Sequence, residues 1–310
     1  MRKIGVALIV VLSSCSVDKI NNDFGGQDIK QISVNIEDII EEGTGSRVIR
    51  ENGGQFVWEA NDTLGIFPNK GGQVEFPIDA SNVGSSFAVF DGGGWALKSN
   101  YTYSAYCPFN FYNRDVKAIP FSYMKQVYDG QGTKGSLSHL FMAAPPTIAE
   151  NNSLTFNVKH LGTVTELTLT MPEATTYTSL DIYTSDKIFP VEVTFDLSSA
   201  DLLQKNIKYS NHYSIELKNI TTTTENEVVT VWFTTPVVVD KAKTLKVVVK
   251  DEKGNLYADD IRGVSSGNVA VVNFPRASKR SLKASPVQTT GIQAGIEDWE
   301  IGEEILGSAN

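Results

Sequence analysis

The residues best placed for chemistry lie near the start of the sequence, where residues 12–15 read Leu-Ser-Ser-Cys. This tetrapeptide resembles the bacterial lipobox, in which the cysteine becomes the first mature residue and its thiol is acylated. Small residues before the thiol give a peptidase access to the backbone. We therefore expect a lipid on Cys15, and two or more acyl chains hold a protein firmly on a bilayer.

The residues before Cys15 have the pattern of an export signal. Arg2 and Lys3 supply positive charge, and an apolar run extends from residue 4 to residue 12. This run is well short of the roughly 20 residues that a membrane-spanning helix needs. Residues 1–14 are therefore predicted to be a lipoprotein signal peptide, and residues 15–28 a polar, glycine-rich tether.

Composition narrows the classes of partner and scaffold. The net charge of −9 argues against nucleic acid or an anionic membrane surface as the partner. The sequence has 2 cysteines, Cys15 and Cys107, so a chain lipidated at Cys15 has no thiol pair left for an internal disulfide. The length of 310 residues is sufficient for two domains of ordinary size.

A search for catalytic residues finds no enzyme signature. The three histidines, His139, His160 and His212, are far apart and have no metal-ligand spacing with a carboxylate or cysteine. Residues 263–267 match the nucleophile pattern G-x-S-x-G, but a strand-like run of Asn-Val-Ala-Val-Val follows where that motif needs a helix. We expect a turn between two strands there, no catalytic or metal site, and no cofactor.

The first structural element after the tether is predicted to be a β-strand. Ile32, Val34 and Ile36 alternate with polar residues, which is the period of two of a half-buried strand. We assign this first strand to residues 29–40. Residues 41–55 then form a polar, glycine-rich loop that contains Arg47 and Arg50, and exposed loops of this kind are preferred protease sites.

The rest of the chain reads as short strands separated by turns. Alternating or Val/Thr-rich runs occur at residues 63–67, 87–90, 167–171, 191–195, 228–234, 245–250 and 269–274, and no window has a sustained helical period. An all-β architecture of sandwiches is therefore expected. Residues near Pro145 give the best boundary, dividing the chain into domains at 29–150 and 151–307. Residues 275–286 are predicted to be a basic linker before a terminal extended strand, 287–303.

An aromatic cluster leaves two interpretations open. The cluster comprises Tyr101, Tyr103, Tyr106, Phe109, Phe111 and Tyr112. It could be a platform on which sugars stack, but sandwich core and edge residues are the favoured interpretation. The first interpretation gives an alternative function, a non-polymerising cell-surface glycan-binding lipoprotein that uses these aromatic residues or Trp95.

Four sequence motifs, in order along the chain, carry a family resemblance. Residues 58–67 look like W-x-x-x-D-x-I-G-V-F, and residues 101–109 look like F-x-A-Y-Y-P-Y with Cys107 in place of a tyrosine. Residues 154–161 are similar to L-x-F-x-H-x-L with one extra residue before His160, and residues 296–299 read Ile-Glu-Asp-Trp. Together these motifs resemble the fimbrillin-like proteins of Bacteroidetes, the subunits of type V pili.

The resemblance implies a fold, a role and a location. The family fold is two tandem transthyretin-like Greek-key β-sandwich domains, and the family has no catalytic role. The chain is then expected to be a structural subunit, shaft or tip, of an adhesive fimbria on the cell outer membrane. The expected partners are other pilin subunits, a trypsin-like processing protease, the outer membrane through the lipid on Cys15, and surface ligands of host or bacterial cells.

The resemblance also implies an assembly mechanism. In the family, a protease cuts after an arginine behind the first strand, and an extended segment of the next subunit fills the groove that the lost strand leaves. Applied to this sequence, cleavage after Arg47 or Arg50 would remove the strand that carries Ile32, Val34 and Ile36. The expected donor residues are, in the terminal segment, Val287, Ile292, Ile296 and Trp299.

Overall fold

A computed structural model describes residues 28–29, 31–37, 39–41, 57–60, 62–91, 97–124, 126–130, 141–150 and 152–289. Within these ranges the chain forms β-strands and one 3-10 turn at Ala80–Asn82. The all-β prediction is confirmed. No helix in the described ranges has the length and apolar character needed to span a bilayer.

The strands of the first half of the chain, in order, are β1 Gln31–Ile36, β2 Ile40–Glu41, β3 Thr63–Pro68, β4 Val74–Pro77, β5 Phe87–Asp91, β6 Thr102–Cys107, β7 Ile119–Ser122, β8 Gln126–Tyr128, β9 Met142–Ile148 and β10 Ser153–His160. Those of the second half are β11 Thr163–Met171, β12 Thr176–Tyr183, β13 Phe189–Asp196, β14 Leu203–Ser210, β15 His212–Thr221, β16 Glu227–Thr235, β17 Val238–Thr244, β18 Lys246–Asp251, β19 Leu256–Asp260, β20 Arg262–Gly263, β21 Val271–Phe274, β22 Ser278–Ala284 and β23 Val287–Thr289.

The strands assemble into several sheets. The largest has the order β4-β3-β6-β9-β10-β1-β5. A second sheet has the order β16-β11-β22-β2 with β20 also paired to β22, and a third has the order β23-β19-β18-β12-β15-β8. Two smaller sheets are β14-β13-β7 and β17-β21.

Alternation of apolar and polar residues explains why these segments are strands. In β10, Leu154, Phe156 and Val158 are fully buried, whereas the residues between them are at least partly exposed. Successive side chains of a strand point to opposite faces, so such a segment buries one face on a core. The strands predicted at 167–171 and 191–195 are confirmed as parts of β11 and β13.

The buried apolar residues form three main clusters. One packs around β1 and β10 and includes Trp58, and a second lies between the sheets that contain β11 and β12. A third cluster includes Tyr106 from β6 and Phe195 from β13, so it joins residues from the two halves of the chain. The partly buried Trp232 packs against both the first and the second cluster.

In the described part of the chain, five strand pairings cross the predicted domain boundary between residues 150 and 151, and one of them is the pairing of β2 with β22. β10 follows the boundary but pairs with β9 and β1. β7 and β8 precede it but pair with β13 and β15. The division into two tandem domains stays a prediction.

One carboxyl group lies buried on β12 away from the main cores. The Asp181 side chain accepts hydrogen bonds from the hydroxyls of Ser214 and Ser179. Burial raises the pKa of Asp181 to about 6, and these two hydrogen bonds oppose the rise. A raised pKa means that the ionised form destabilises the folded chain at neutral pH.

Replacing this acid should change the dependence of stability on pH. The folded-state pKa lies above the unfolded value of 3.8, so the cost is absent below that value and complete above about pH 6. Asp181→Asn is therefore expected to raise the free energy of unfolding at pH 7 by about 3 kcal/mol, at 1.36 kcal/mol per pKa unit, and to change it little near pH 4. Chemical denaturation at both pH values measures this difference, with the exposed Asp201→Asn as control. An equal effect at the two pH values would contradict the assignment.

Candidate functional site: the first strand and its slot

The first strand, β1, is hydrogen-bonded to a neighbour on each side. It runs parallel to β10, with Ile32 opposite Leu154 and Val34 opposite Phe156. On its other side it runs antiparallel to β5, with Val34 opposite Ala88. Because β5 ends the sheet, β1 is the only strand partner of β5 in the described part of the chain. Loss of β1 would leave unpaired backbone groups on both neighbours and detach β5 from the sheet.

The core face of β1 is filled by the three residues that the alternation predicted. Ile32 and Val34 are 0% exposed and Ile36 is 5% exposed, and all three belong to the first apolar cluster. On the opposite face Ser33 is also buried, and Asn35 donates a 3.5 Å hydrogen bond to Asn157. The predicted strand is present but is shorter than the assigned residues 29–40, since β1 covers Gln31–Ile36, and it is more deeply buried than a half-buried strand.

The segment around β1 is held at further points that the sequence analysis missed. Ile29 and Ile39 are buried in the same apolar cluster. Asp28 forms a 2.6 Å ion pair with Lys98. Both isoleucines lie within the strand predicted at residues 29–40, but outside the alternating run from Ile32 to Ile36 that identified it.

The same segment also reaches a second sheet. The backbone of β2 pairs in parallel with β22, with Ile40 opposite Ser278 and Glu41 opposite Lys279. Two residues make a short strand, so this pairing adds few hydrogen bonds. It nevertheless means that withdrawing residues 28–41 would change the edges of two sheets.

The apolar contribution of this segment is large relative to the stability of a domain. Fully burying one valine or isoleucine side chain contributes roughly 1.5–3 kcal/mol. Five such residues, Ile29, Ile32, Val34, Ile36 and Ile39, therefore contribute roughly 7–15 kcal/mol. A whole domain is stable by only about 5–15 kcal/mol. A chain without this segment would need a replacement strand to remain folded.

Most other predicted processing and donor residues lie outside the described residues, namely Cys15, Arg47, Arg50, Ile292, Ile296 and Trp299. Val287 is described and begins β23, which pairs with the edge of β19. Its side chain is exposed. The first residues of the predicted donor segment are therefore docked on the chain's own third sheet.

The prediction that residues 275–286 form a linker is wrong. Residues 278–284 are β22, which pairs over seven positions with β11. Ser278, Leu282 and Ala284 are buried. Arg280 is also buried, because its guanidinium donates a 2.7 Å hydrogen bond to the carbonyl of Val271 and lies over the ring of Phe274. These contacts make the basic run a core strand.

The histidines and the G-x-S-x-G segment considered as catalytic candidates lie in ordinary packing and turn environments where the structure describes them. His160 is buried, His212 stacks on Tyr183, and His139 lies outside the described residues. The predicted turn at residues 263–267 is confirmed, since the Gly267 N–H donates to the carbonyl of Gly263. In the described ranges no group of three or more His, Cys, Asp or Glu residues could hold a metal ion.

The second cysteine is not in a reactive environment. Cys107 is a free thiol at the end of β6 and is buried. Burial raises its pKa above the usual range, with Asp62 adding to the rise. Since the thiolate is the nucleophilic form, the thiol of Cys107 is inert at neutral pH.

The aromatic cluster divides by exposure. Tyr103 and Tyr106 are buried, and Tyr101 and Phe109 are partly buried. Only Phe111 and Tyr112 are exposed. The six rings therefore do not form one continuous surface, and Trp95 lies outside the described residues.

Comparison with known proteins gives structural similarities only. No protein-family model and no curated protein matches the sequence. A candidate cell adhesion protein from Bacteroides uniformis matches 74% of this chain and 88% of its own, with a TM-score of 0.50 and 12% identity. A candidate cell adhesion protein from Bacteroides ovatus matches 86% of this chain and 97% of its own, with a TM-score of 0.50 and 15% identity. At these identities the likeness establishes a shared fold.

A substitution within β1 should separate core residues from surface residues of the same strand. Ile32→Ala is expected to lower the free energy of unfolding by about 2–5 kcal/mol, because it removes buried methyl groups and leaves a cavity. Asn35→Ala, the matched control, should change it by less than about 0.5–1 kcal/mol. Denaturant titration of both purified variants measures the effects. Similar values for the two variants would show that β1 is not anchored by its core face.

Proposed function

We propose that this chain is a subunit of an adhesive surface fimbria that polymerises by exchanging its first strand for a segment of another subunit. The observation that carries the proposal is the position of β1, which is paired on both sides and supplies core residues although it lies near the start of the chain. The fold shared with candidate cell adhesion proteins of Bacteroides supports a role at the cell surface.

In this proposal the precursor is exported and lipidated before it assembles. The Leu-Ser-Ser-Cys sequence at residues 12–15 supports acylation of Cys15. Diacyl or triacyl anchoring would hold the precursor on the outer membrane with its folded part exposed. The tether at residues 15–28 would separate the lipid from β1.

Processing follows in the loop predicted at residues 41–55. Arg47 and Arg50 lie a few residues beyond Glu41 in this polar, glycine-rich sequence. A trypsin-like protease cuts after arginine, so either residue would separate residues 28–41 from the rest of the chain. The lipid would leave with this fragment, and the remaining chain would keep an open slot between β10 and β5.

The terminal segment has a residue pattern that matches the strand it would replace. Ile292, Ala294 and Ile296 follow one another at two-residue steps, as do Ile32, Val34 and Ile36 in β1. The residues between them are small or polar in both segments. In an extended strand these three side chains share one face, so they fit the three core positions of the slot.

Two of the four predicted donor residues, Val287 and Trp299, would not face the core if Ile292, Ala294 and Ile296 fill the slot. Val287 and Trp299 are odd-numbered, so on one regular strand they lie on the face opposite Ile292 and Ile296. Val287 also lies in β23 on its own sheet. We therefore assign the core contacts of the donor to Ile292, Ala294 and Ile296, and contacts outside the slot to Trp299.

Blocking the cleavage should stop assembly at the precursor. The double variant Arg47→Ala/Arg50→Ala is expected to accumulate as a full-length, lipid-labelled monomer, with at least a tenfold loss of polymer on the cell surface. Labelled fatty acid and gel electrophoresis without boiling measure the two species. Lys241→Ala, which removes an exposed basic residue elsewhere, is the control. Normal polymer in the double variant would refute processing in this loop.

A charge on the donor face should block strand insertion without affecting the subunit's own fold. Ile296→Asp is expected to reduce polymer at least tenfold, because burying an unpaired carboxylate in an apolar slot is strongly unfavourable. Gln293→Asp places the same charge on the opposite face of the segment and should leave polymerisation nearly unchanged. Sedimentation of processed protein measures both. Equal effects of the two substitutions would exclude the proposed register.

A further inference from the structure

A glycine in β3 makes room for the buried Tyr106 ring on the face of the first sheet that packs in the third apolar cluster. A Cβ atom at Gly65 would lie 2.3 Å from Cε1 of Tyr106, which is closer than real atoms approach. The Tyr106 ring therefore lies across β3, where it also stacks on Phe67 with ring centroids 5.9 Å apart. This position directs the phenol hydroxyl to the loop that follows β6.

The hydroxyl of Tyr106 and the amide of Gln73 fix the backbone of that loop. The hydroxyl donates to Oε1 of Gln73 at 2.7 Å and accepts from the Asn110 N–H at 3.1 Å. It also accepts from Nδ2 of the buried Asn113 at 3.2 Å. Nε2 of Gln73 donates to the carbonyl of Asn110 at 2.9 Å and to the carbonyl of Asn113 at 2.6 Å. It makes a longer contact, 3.3 Å, with the carbonyl of Phe111.

The fixed loop is a turn with two aromatic residues at its apex. The Asn113 N–H donates to the Asn110 carbonyl at 3.0 Å, and the Tyr112 N–H donates to the Asn110 side chain at 2.9 Å. Turns of this kind favour Pro, Asp, Ser or Gly, so local backbone geometry does not demand aromatic residues. Nevertheless, Phe111 is 61% exposed and Tyr112 is 83% exposed.

A cation lies directly beside these rings. The guanidinium carbon of Arg114 is 4.3 Å from the centroid of the Phe111 ring. This contact orients the planar guanidinium on one face of Phe111 and restricts its motion. The rings of Phe111 and Tyr112 are themselves nearly perpendicular, with centroids 5.9 Å apart. The turn thus presents two aromatic rings and the N–H donors of the Arg114 guanidinium.

We propose that this turn is a binding site for carbohydrate chains that carry carboxylate groups. The face of Tyr112 would contact the apolar C–H face of a sugar ring, and Arg114 would donate to the sugar carboxylate, a pairing that suits the guanidinium geometry. Holding the rings in place before binding lowers the entropic cost of association. The site goes beyond fimbrial assembly and does not depend on it.

The dimensions of the site favour a carbohydrate over a protein partner. A stable protein interface covers about 800 Å² on each partner with 20–30 residues. Here the exposed apolar surface is limited to two rings, and the flanking residues Asn110, Arg114 and Asp115 are polar or charged and exposed. A sugar ring, which has one apolar face and polar edges, matches this combination.

Binding of the full-length chain to defined polysaccharides tests the proposal. The acidic probes are immobilised hyaluronan, alginate and polysialic acid, and the neutral probes are carboxyl-reduced hyaluronan and dextran. We expect binding to at least one acidic probe that weakens as salt increases, with at least tenfold weaker binding to the neutral probes. Tyr112→Ala and Arg114→Gln should each weaken it at least tenfold, whereas Tyr209→Ala, at another exposed tyrosine, should change it less than twofold.

A further variant tests whether the fixed backbone matters. Gln73→Met keeps the size of the side chain and both exposed rings but removes the hydrogen bonds to the loop. We expect three- to tenfold weaker binding by a chain that is still folded, as a cooperative thermal unfolding transition would show, which assigns Gln73 a positioning role. Undiminished binding by Tyr112→Ala, equal binding to acidic and neutral probes, or no binding to any acidic probe would overturn the proposal. A loss of self-association in Tyr112→Ala without glycan binding would instead indicate a protein contact.

Discussion

The backbone groups of β10 and β5 that face each other across β1 need a strand between them. In the described chain β1 supplies that strand, and it is the only strand that links β5 to the rest of its sheet. Unpaired N–H and C=O groups at such a place are costly, and Ile32, Val34 and Ile36 fill the core beneath them. The first sheet is therefore complete only while some extended segment occupies this position.

This dependence extends beyond one sheet because the segment continues into β2. β2 pairs with β22, which is a core strand of the second sheet and a parallel partner of β11. Removal of residues 28–41 would thus expose edges at two places along the chain. A donor strand that only replaced the three core residues of β1 would restore the first sheet and leave the β22 edge free.

The sequence predicted the all-β fold because alternation is strong where one face of a strand is buried. It predicted β1 for that reason, and the three isoleucine and valine positions are the ones that enter the core. It failed at β22, where Lys and Arg dominate the composition. There the buried positions are Ser278, Arg280, Leu282 and Ala284. The burial of Arg280 depends on the Val271 carbonyl and the Phe274 ring of β21, and the sequence does not show these contacts.

The exposed aromatic turn is a second feature that the sequence could not predict. Proximity along the sequence grouped six aromatic residues as one cluster, but Tyr103 and Tyr106 lie in β6 and enter two different apolar clusters. Phe111 and Tyr112 lie in the turn after β6 and are exposed. The contacts of Tyr106 with Gln73, Asn110 and Asn113 join residues from different strands and loops. The spacing of these residues along the chain does not predict such contacts.

The most direct test of strand exchange is the N-terminal sequence of the polypeptide recovered from the surface of its native cells. The account predicts a start at Val48 or Glu51, which places β1 outside the assembled subunit. A lipid-blocked Cys15 as the only N-terminus of the assembled protein would contradict it, because β1 would then still occupy the slot.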